Sequence, residues 1–457
     1  MKKEVKYYPL TTGQMILMLS QKYSMKKQIN NVCATIHIVN DVDEALLVQS
    51  ITLAMMRFPS MNCRLTERDG KVVQYFCDEF PGALEIVDMT SATPEQIQER
   101  VDKWSSTPFP NKGYDVPLNR VKLIRMPDGT ITMYLCICHL IMDAYSLAGC
   151  VVYIEQIYQA LRDGLPIPTL QSTPIECYES DYAYFSSDRY ARDKEYWEKE
   201  TSEEPHFTSL NGVTGKEFIK DKRYGTTLRL WHVAADQINL RIPKELVDAV
   251  QNYAMGRRIS PQCMYLLAMR TYLGKVNQTN DVTIMSAVAR RATIVQKHAG
   301  GTMVNAIPLR TTFGNDLTFA DALEQMYKKQ REVYRHSDMP CGQILDLYKN
   351  KHNLPSGFAV KGYSTVSITF QPYFTGGNGI FDFTFRREKN GAGTIGTYIT
   401  FMPFDDSGDL WVNYEHVVGY ILPESIHSYH EFMLKFLKLA VENPEQTLDQ
   451  LVSRSMS

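Results

Sequence analysis

The chain has 457 residues, too many for one ordinary single-core domain and enough for two or three. Hydrophobic residues make up 44% and charged residues 22%, a globular composition that excludes extended disorder. Lys plus Arg number 49 against 51 Asp plus Glu, so the net charge of -2 offers no basic excess to a nucleic-acid backbone, and no nucleic-acid partner is expected.

The first residues carry positive charge, but the apolar stretch Met15–Leu19 is too short for a secretory core. Apolar residues at helical spacing from Ala45 to Met56 predict a helix that stops near Phe58–Pro59. Tyr134–Cys138 reads as a buried strand. It belongs to the longest strongly apolar run, Tyr134–Met142, which is far short of a membrane span. A helix follows from Leu147 to Leu161, ended by Asp163–Gly164. The Pro-rich stretch Gly164–Pro174 reads as a connector, and a charged, aromatic helix follows over Asp188–Glu200.

From Asp236 the pattern starts again. Pro243 opens one helix, Ser260–Pro261 caps another through Leu273, and Val282–Met285 reads as a strand. The chain therefore reads as two mixed α and β lobes, 1–174 and 175–457, the second including the helix over 188–200. The protein is expected to be cytoplasmic. Its nine cysteines are scattered, without a CxxC pair or a zinc pattern, so reduced buried thiols and no metal are expected.

One motif carries chemistry. His-x-x-x-Asp occurs three times, at His37–Asp41, His139–Asp143 and His232–Asp236, against roughly 0.6 expected by chance, so spacing cannot choose among them. Context does. His37 and His232 look like strand-to-turn boundaries before a surface Asp, whereas His139 ends an almost wholly apolar strand. Alternation puts Cys136 and Cys138 on one face and Leu135, Ile137 and His139 on the other. A neutral imidazole there can take a proton from an amine or hydroxyl as it attacks an acyl carbon. Asp143, four residues on, can pair with a distant Arg and fix the loop. The alternative is a satisfied core histidine with Asp143 as a helix cap.

At this point the chain resembles the condensation domains of nonribosomal peptide synthesis, within the chloramphenicol-acetyltransferase-like acyltransferases. Their His-His-x-x-x-Asp-Gly motif stands here as Cys138-His139-Leu140-Ile141-Met142-Asp143-Ala144. Other motifs follow in the family's order. They are Tyr8-Pro9-Leu10-Thr11 with Gln14, Arg57 to Leu65, Tyr178 to Ala183, Val288-Ala289-Arg290-Arg291, Gly301 to Asn305 with Pro308-Leu309-Arg310, His336 to Pro340, and Ser367 to Gln371. Arg291 and Asn305 also keep the family's spacing.

The resemblance implies an α/β fold of mixed sheets, built as two chloramphenicol-acetyltransferase-like lobes in a V-shaped pseudo-dimer with a tunnel between them. It implies an acyltransferase that joins a phosphopantetheine-carried acyl or aminoacyl group to an amine or hydroxyl. Carrier proteins in trans or coenzyme A would deliver the donor, a small molecule would be the acceptor, and no cofactor would be tightly bound. His139 takes the position of the catalytic residue. Asp143 takes that of the structural Asp, expected to pair with Arg291 and so tie the motif loop to the second lobe. Asn305, Ser367 and Gln371 are candidates for the substrate channel. Two departures, Cys138 for the first His and Ala144 for the last Gly, motivate a second reading, a docking module that keeps the fold without the reaction. A coenzyme A-dependent alcohol acetyltransferase is a third.

Overall fold

A computed structural model describes residues 5–77, 82, 84–170, 172–212, 234–353, 365–371, 380–393, 396–403 and 407–456. The fold is mixed α/β with mixed sheets, and the chain forms two compact units. The first comprises Met1–Ser186, Ala289–Val304 and Pro372–Ala392, and the second comprises Ser187–Val288, Asn305–Gln371 and Gly393–Ser457. Neither unit is a continuous stretch, so a single boundary at 174 does not separate them: the chain returns to the first unit twice. One return adds an edge strand to its sheet, and the other supplies partners to the motif loop.

In the first unit, β1 (Tyr7–Pro9), β4 (Lys71–Phe76) and β3 (Cys63–Arg68) make a small sheet. The main sheet runs β12 (Phe383–Glu388), β2 (Asn31–Ile38), β7 (Ile131–Cys138), β6 (Asn119–Arg125), β5 (Glu85–Asp88). Its centre is β7, whose eight residues are all buried. A strand covered on both faces has no solvent side to alternate toward, so it reads as a continuous apolar run. Here β7 pairs antiparallel with both β2 and β6, and β5 joins β6 in parallel.

Helices cover this sheet. α1 (Thr12–Tyr23) begins with a capping box of Thr11 and Gln14. α2 (Glu44–Arg57) is capped by Asp43 and ends at Phe58–Pro59, as its sequence pattern predicts. α3 (Pro94–Ser105) starts with Thr93 and Pro94. α4 (Ala144–Arg162) is capped by Asp143 and ends at Asp163, before Gly164 at φ +65. α5 (Pro174–Tyr184) follows the irregular connector.

The second unit begins with α6 (Asp188–Glu200), within the bounds the sequence predicts. Its sheet runs β10 (Asn305–Thr311), β9 (Val282–Val288), β11 (Val366–Phe370), β13 (Thr397–Pro403), β14 (Leu410–Val417), β8 (Ala235–Ile242). β11 is parallel to β9 and β13, and the other pairings are antiparallel. After α7 (Lys244–Gly256), whose cap is Pro243 rather than its first turn, comes α8 (Pro261–Asn277). The core packs around α8, in which 13 of 17 residues are buried. A helix apolar nearly all round must be enclosed, and α8 is longer than its apolar pattern alone indicates, ending at Gln278 in the left-handed region.

Candidate functional site

β7 ends at Cys138, and the ladder continues one residue further, because His139 N–H donates to Asn30 O at 2.7 Å. His139 is therefore the first residue of the turn, held by its own backbone. Its carbonyl accepts from Thr302 Oγ1 at 2.5 Å, and the next carbonyl, of Leu140, accepts from Gln14 Nε2 at 2.7 Å. Gln14 and Gln74 are hydrogen-bonded in turn, both fully buried. The backbone on both sides of the imidazole is thus clamped, which limits how far the ring can move.

His139 is a half-buried residue, and its Nδ1 is shielded and has no hydrogen-bond partner among the described residues. An unpartnered buried polar atom costs about 1–3 kcal/mol, and native structures retain few. Burial pushes the imidazole below its usual 6.5, with the Asp143 carboxylate opposing that shift in part. The ring is therefore neutral at pH 7, the form that accepts a proton.

Asp143 performs both tasks that the sequence left as alternatives. Its Oδ1 accepts from Ser146 N–H at 2.8 Å, which caps α4. Both carboxylate oxygens also lie 3.0 Å from Arg291 Nη2, and Oδ2 accepts from Met303 N–H at 3.0 Å. Arg291 also donates from Nη1 to the carbonyls of Gln296 and Ala299 and from Nη2 to that of Gly301, while its buried Nε has no partner among the described residues. The two side chains are 4% and 1% exposed, so each charge survives burial only through this set of partners. One expectation changes. Arg291 lies in the Ala289–Val304 return, so the pair ties the motif loop to a segment of its own unit.

A second buried pair adjoins the first. Arg290 Nη2 meets Asp181 Oδ1 at 2.7 Å, and Asp181 Oδ2 accepts from Thr12 N–H at the start of α1. The sequence motifs contain both Asp181 and Arg290 without indicating this pairing. Gly301, Thr302 and Met303 share a motif with Asn305, yet it is these three that contact the motif loop.

Gly301 shows why its position needs glycine. Its φ is +87, and a Cβ would come within 2.5 Å of Tyr178 Oη, while its carbonyl accepts from Asp143 N–H and Arg291. We expect Gly301→Ala to destabilise the protein by more than about 1 kcal/mol in denaturant unfolding. An unchanged midpoint would show that the loop relaxes without cost.

Cys138 is 2% exposed, and burial pushes its thiol up to about 12, so it packs as a thiol and offers no thiolate. Ala144 is the first residue of α4 and has no left-handed backbone, so its Cβ carries no conformational penalty. Among the other matches, His37 Nδ1 is hydrogen-bonded to Thr132 Oγ1 at 2.9 Å across β2 and β7, and Asp41 is exposed. His232 lies outside the described residues.

Three further candidates belong to the second unit. Asn305 is saturated: its Nδ2 donates to Ser337 O and Met339 O at 2.8 Å, and its Oδ1 accepts from Cys341 N–H. That is a clamp on the loop before the helix Cys341–Lys351. Ser367 is fully buried, its Oγ without a partner among the described residues, and Gln371 N–H donates to Phe401 O. No group of three or more potential metal ligands occurs among the described residues, and no described helix is long and apolar enough to cross a membrane.

Residues 4–455 match the family model described as Condensation domain. Surfactin synthase subunit 1 of Bacillus subtilis is 24% identical over 455 residues, 98% of this chain but 12% of that protein. Tyrocidine synthase 3 of Brevibacillus parabrevis is 22% identical over 340 residues, 74% of this chain and 5% of that protein. The chain therefore spans a small fraction of these relatives. Among solved structures, the first condensation domain of the calcium-dependent antibiotic synthetase, in complex with a substrate analogue, aligns with a TM-score of 0.81 and 20% identity, covering 97% of this chain and 98% of that one. The starter condensation domain of rhizomide synthetase, in complex with C8-CoA and Leu-SNAC, aligns with a TM-score of 0.79 and 18% identity, covering 97% and 96%. At these identities the structural likeness concerns the fold.

Proposed function

The chain belongs to the condensation-domain family, and from that premise we propose that it joins a thioester-held acyl or aminoacyl group to an amine or hydroxyl, with His139 as the base that orients and deprotonates the acceptor. Condensation domains form amide or ester bonds and act on substrates carried by phosphopantetheine or coenzyme A. The observation that carries this reading is the His139 imidazole, fixed through its backbone, pushed by burial toward its neutral form, and left with an Nδ1 that has no partner among the described residues.

In the proposed reaction the acceptor's lone pair attacks the thioester carbonyl carbon as its proton passes to His139. The new C–N or C–O bond forms, the C–S bond breaks, and the proton returns to the departing thiolate. The chain's own residues contribute position more than chemistry. Asp143 and Arg291 hold the loop while the sheet holds His139, and correct placement of two reactants is worth effective molarities of about 10⁵–10⁸ M. The donor arm is substrate, brought by a carrier protein in trans or by coenzyme A, and a cytoplasmic setting suits that supply.

Ala144 at an unstrained helical position and Cys138 as a packing thiol support catalysis over a docking role, since neither departure disturbs the loop. Incubation with acyl-loaded carrier protein and with acyl-coenzyme A, each with amine and alcohol acceptors, tests the reading by mass spectrometry. Product that requires His139 is expected. Absence of product with every donor and acceptor class, from folded protein, would support the docking role instead.

The depressed imidazole gives a pH signature. A base with a lowered pKa stays neutral on acidification until the pH passes its own value. The acidic limb of the single-turnover rate is therefore expected below pH 6.5. A limb above 6.5 would contradict a desolvated His139 as the base.

A further inference from the structure

Cys33 and Cys136 stand directly opposite each other on β2 and β7, the two strands that lead to Asn30 and His139. Their separation follows from the ladder. Pairs on antiparallel strands alternate between hydrogen-bonded and non-hydrogen-bonded, and the latter bring Cα atoms to about 4.5 Å. His139 N–H donates to Asn30 O, so the position facing Asn30 is hydrogen-bonded. The next pair, Asn31 and Cys138, is not, and Cys138 N–H accordingly turns to Leu118 O near β6. Counting on, Val32 and Ile137 are hydrogen-bonded, and Cys33 and Cys136 are not.

This is the closer kind of pair, and its Cα spacing falls in the range of about 4.4–6.8 Å that a disulfide spans. The rival partner fails on distance: Cys138 is diagonal to Cys33, at about 7–8 Å. Both thiols are free and almost fully buried, 1% and 0% exposed, and the Cys33 thiol donates to Ser105 O at 3.9 Å.

The third residue in the row is Arg120, which faces Cys136 from β6. The Cys33 thiol and, less strongly, the Arg120 guanidinium push the Cys136 thiol below its ordinary value against the effect of its burial, while burial pushes the Cys33 thiol up. A buried cysteine alone is inert, whereas a thiol drawn toward ionisation beside a cation and opposite a second thiol has the arrangement of an attacking and a resolving sulfur.

We propose that Cys33 and Cys136 form a reversible cross-strand disulfide under peroxide, a redox-modification site on the strand that presents His139. The Cys136 thiolate attacks one peroxide oxygen, the O–O bond breaks, and hydroxide leaves and is protonated to water. The Cys33 thiol then attacks the sulfenic sulfur, the S–S bond forms, and the second oxygen leaves as water. Two thiols lose two electrons and two protons, and the peroxide accepts them.

The test exposes the whole folded chain to hydrogen peroxide, quenches with an alkylating agent, and maps peptides by mass spectrometry. The expected result is a peptide pair linking Cys33 to Cys136, loss of two of the nine thiols, and reversal by dithiothreitol. Cys33→Ala is expected to abolish the link and leave Cys136 as sulfenic acid, trapped by dimedone added together with denaturant. Arg120→Gln, which leaves both sulfurs in place, is expected to slow oxidation severalfold. The proposal is overturned if both thiols alkylate only after denaturation and show no link, or if the link joins a different pair.

Discussion

Asp143→Ala is expected to lower the unfolding free energy by about 3–5 kcal/mol, because the Arg291 guanidinium would stay buried without its carboxylate. The cap on α4 is lost as well, but a cap is worth about 1 kcal/mol, so the stranded charge dominates. Asp143→Asn separates the two contributions. It keeps an oxygen for Ser146 N–H and removes the charge, so it is expected to lose most of what the alanine variant loses. Asp143→Ala with Arg291→Met takes away both charges and is expected to recover part of the stability. Denaturant unfolding reads all three variants. An Asp143→Ala protein with an unchanged midpoint would mean that water reaches Arg291 and that the pair does not brace the loop.

His139→Ala is expected to behave in the opposite way, cutting turnover by about 10²–10⁴ while leaving the midpoint nearly in place. The backbone contacts that clamp this position, from Asn30 and Thr302, survive the substitution. The lost ring also takes with it a buried nitrogen that had no partner, which offsets some of the packing it contributed. Single-turnover rates with a loaded donor, measured beside the unfolding curve, check both halves of the expectation. Unchanged turnover would remove His139 from the mechanism and leave positioning as the whole of catalysis. Together the two variants separate chemistry from architecture: one loses rate without stability, the other loses both.

Much of the fold was readable along the chain. The helices over Asp188–Glu200 and from Asp143 onward follow from their caps and stops, and β7 from its unbroken apolar run. Those signals act over a few residues, through backbone hydrogen bonds and the period of burial, so the local sequence holds them in full. The order of the motifs was equally legible, and with it the family.

The partners were not. Arg291 reaches Asp143 across 148 positions, and only the path of the chain decides that Ala289–Val304 returns to the first unit and not the second. Asn305 stands in a motif, but nothing near it in the chain indicates that three backbone groups around Ser337–Cys341 occupy its amide. Cys33 and Cys136 face each other because of a strand register that no local pattern encodes. Sequence determined which residues carry charge, thiol and imidazole and which elements they sit on. Tertiary structure alone decided which were satisfied and which left open, because satisfaction depends on groups brought together from distant stretches of the chain.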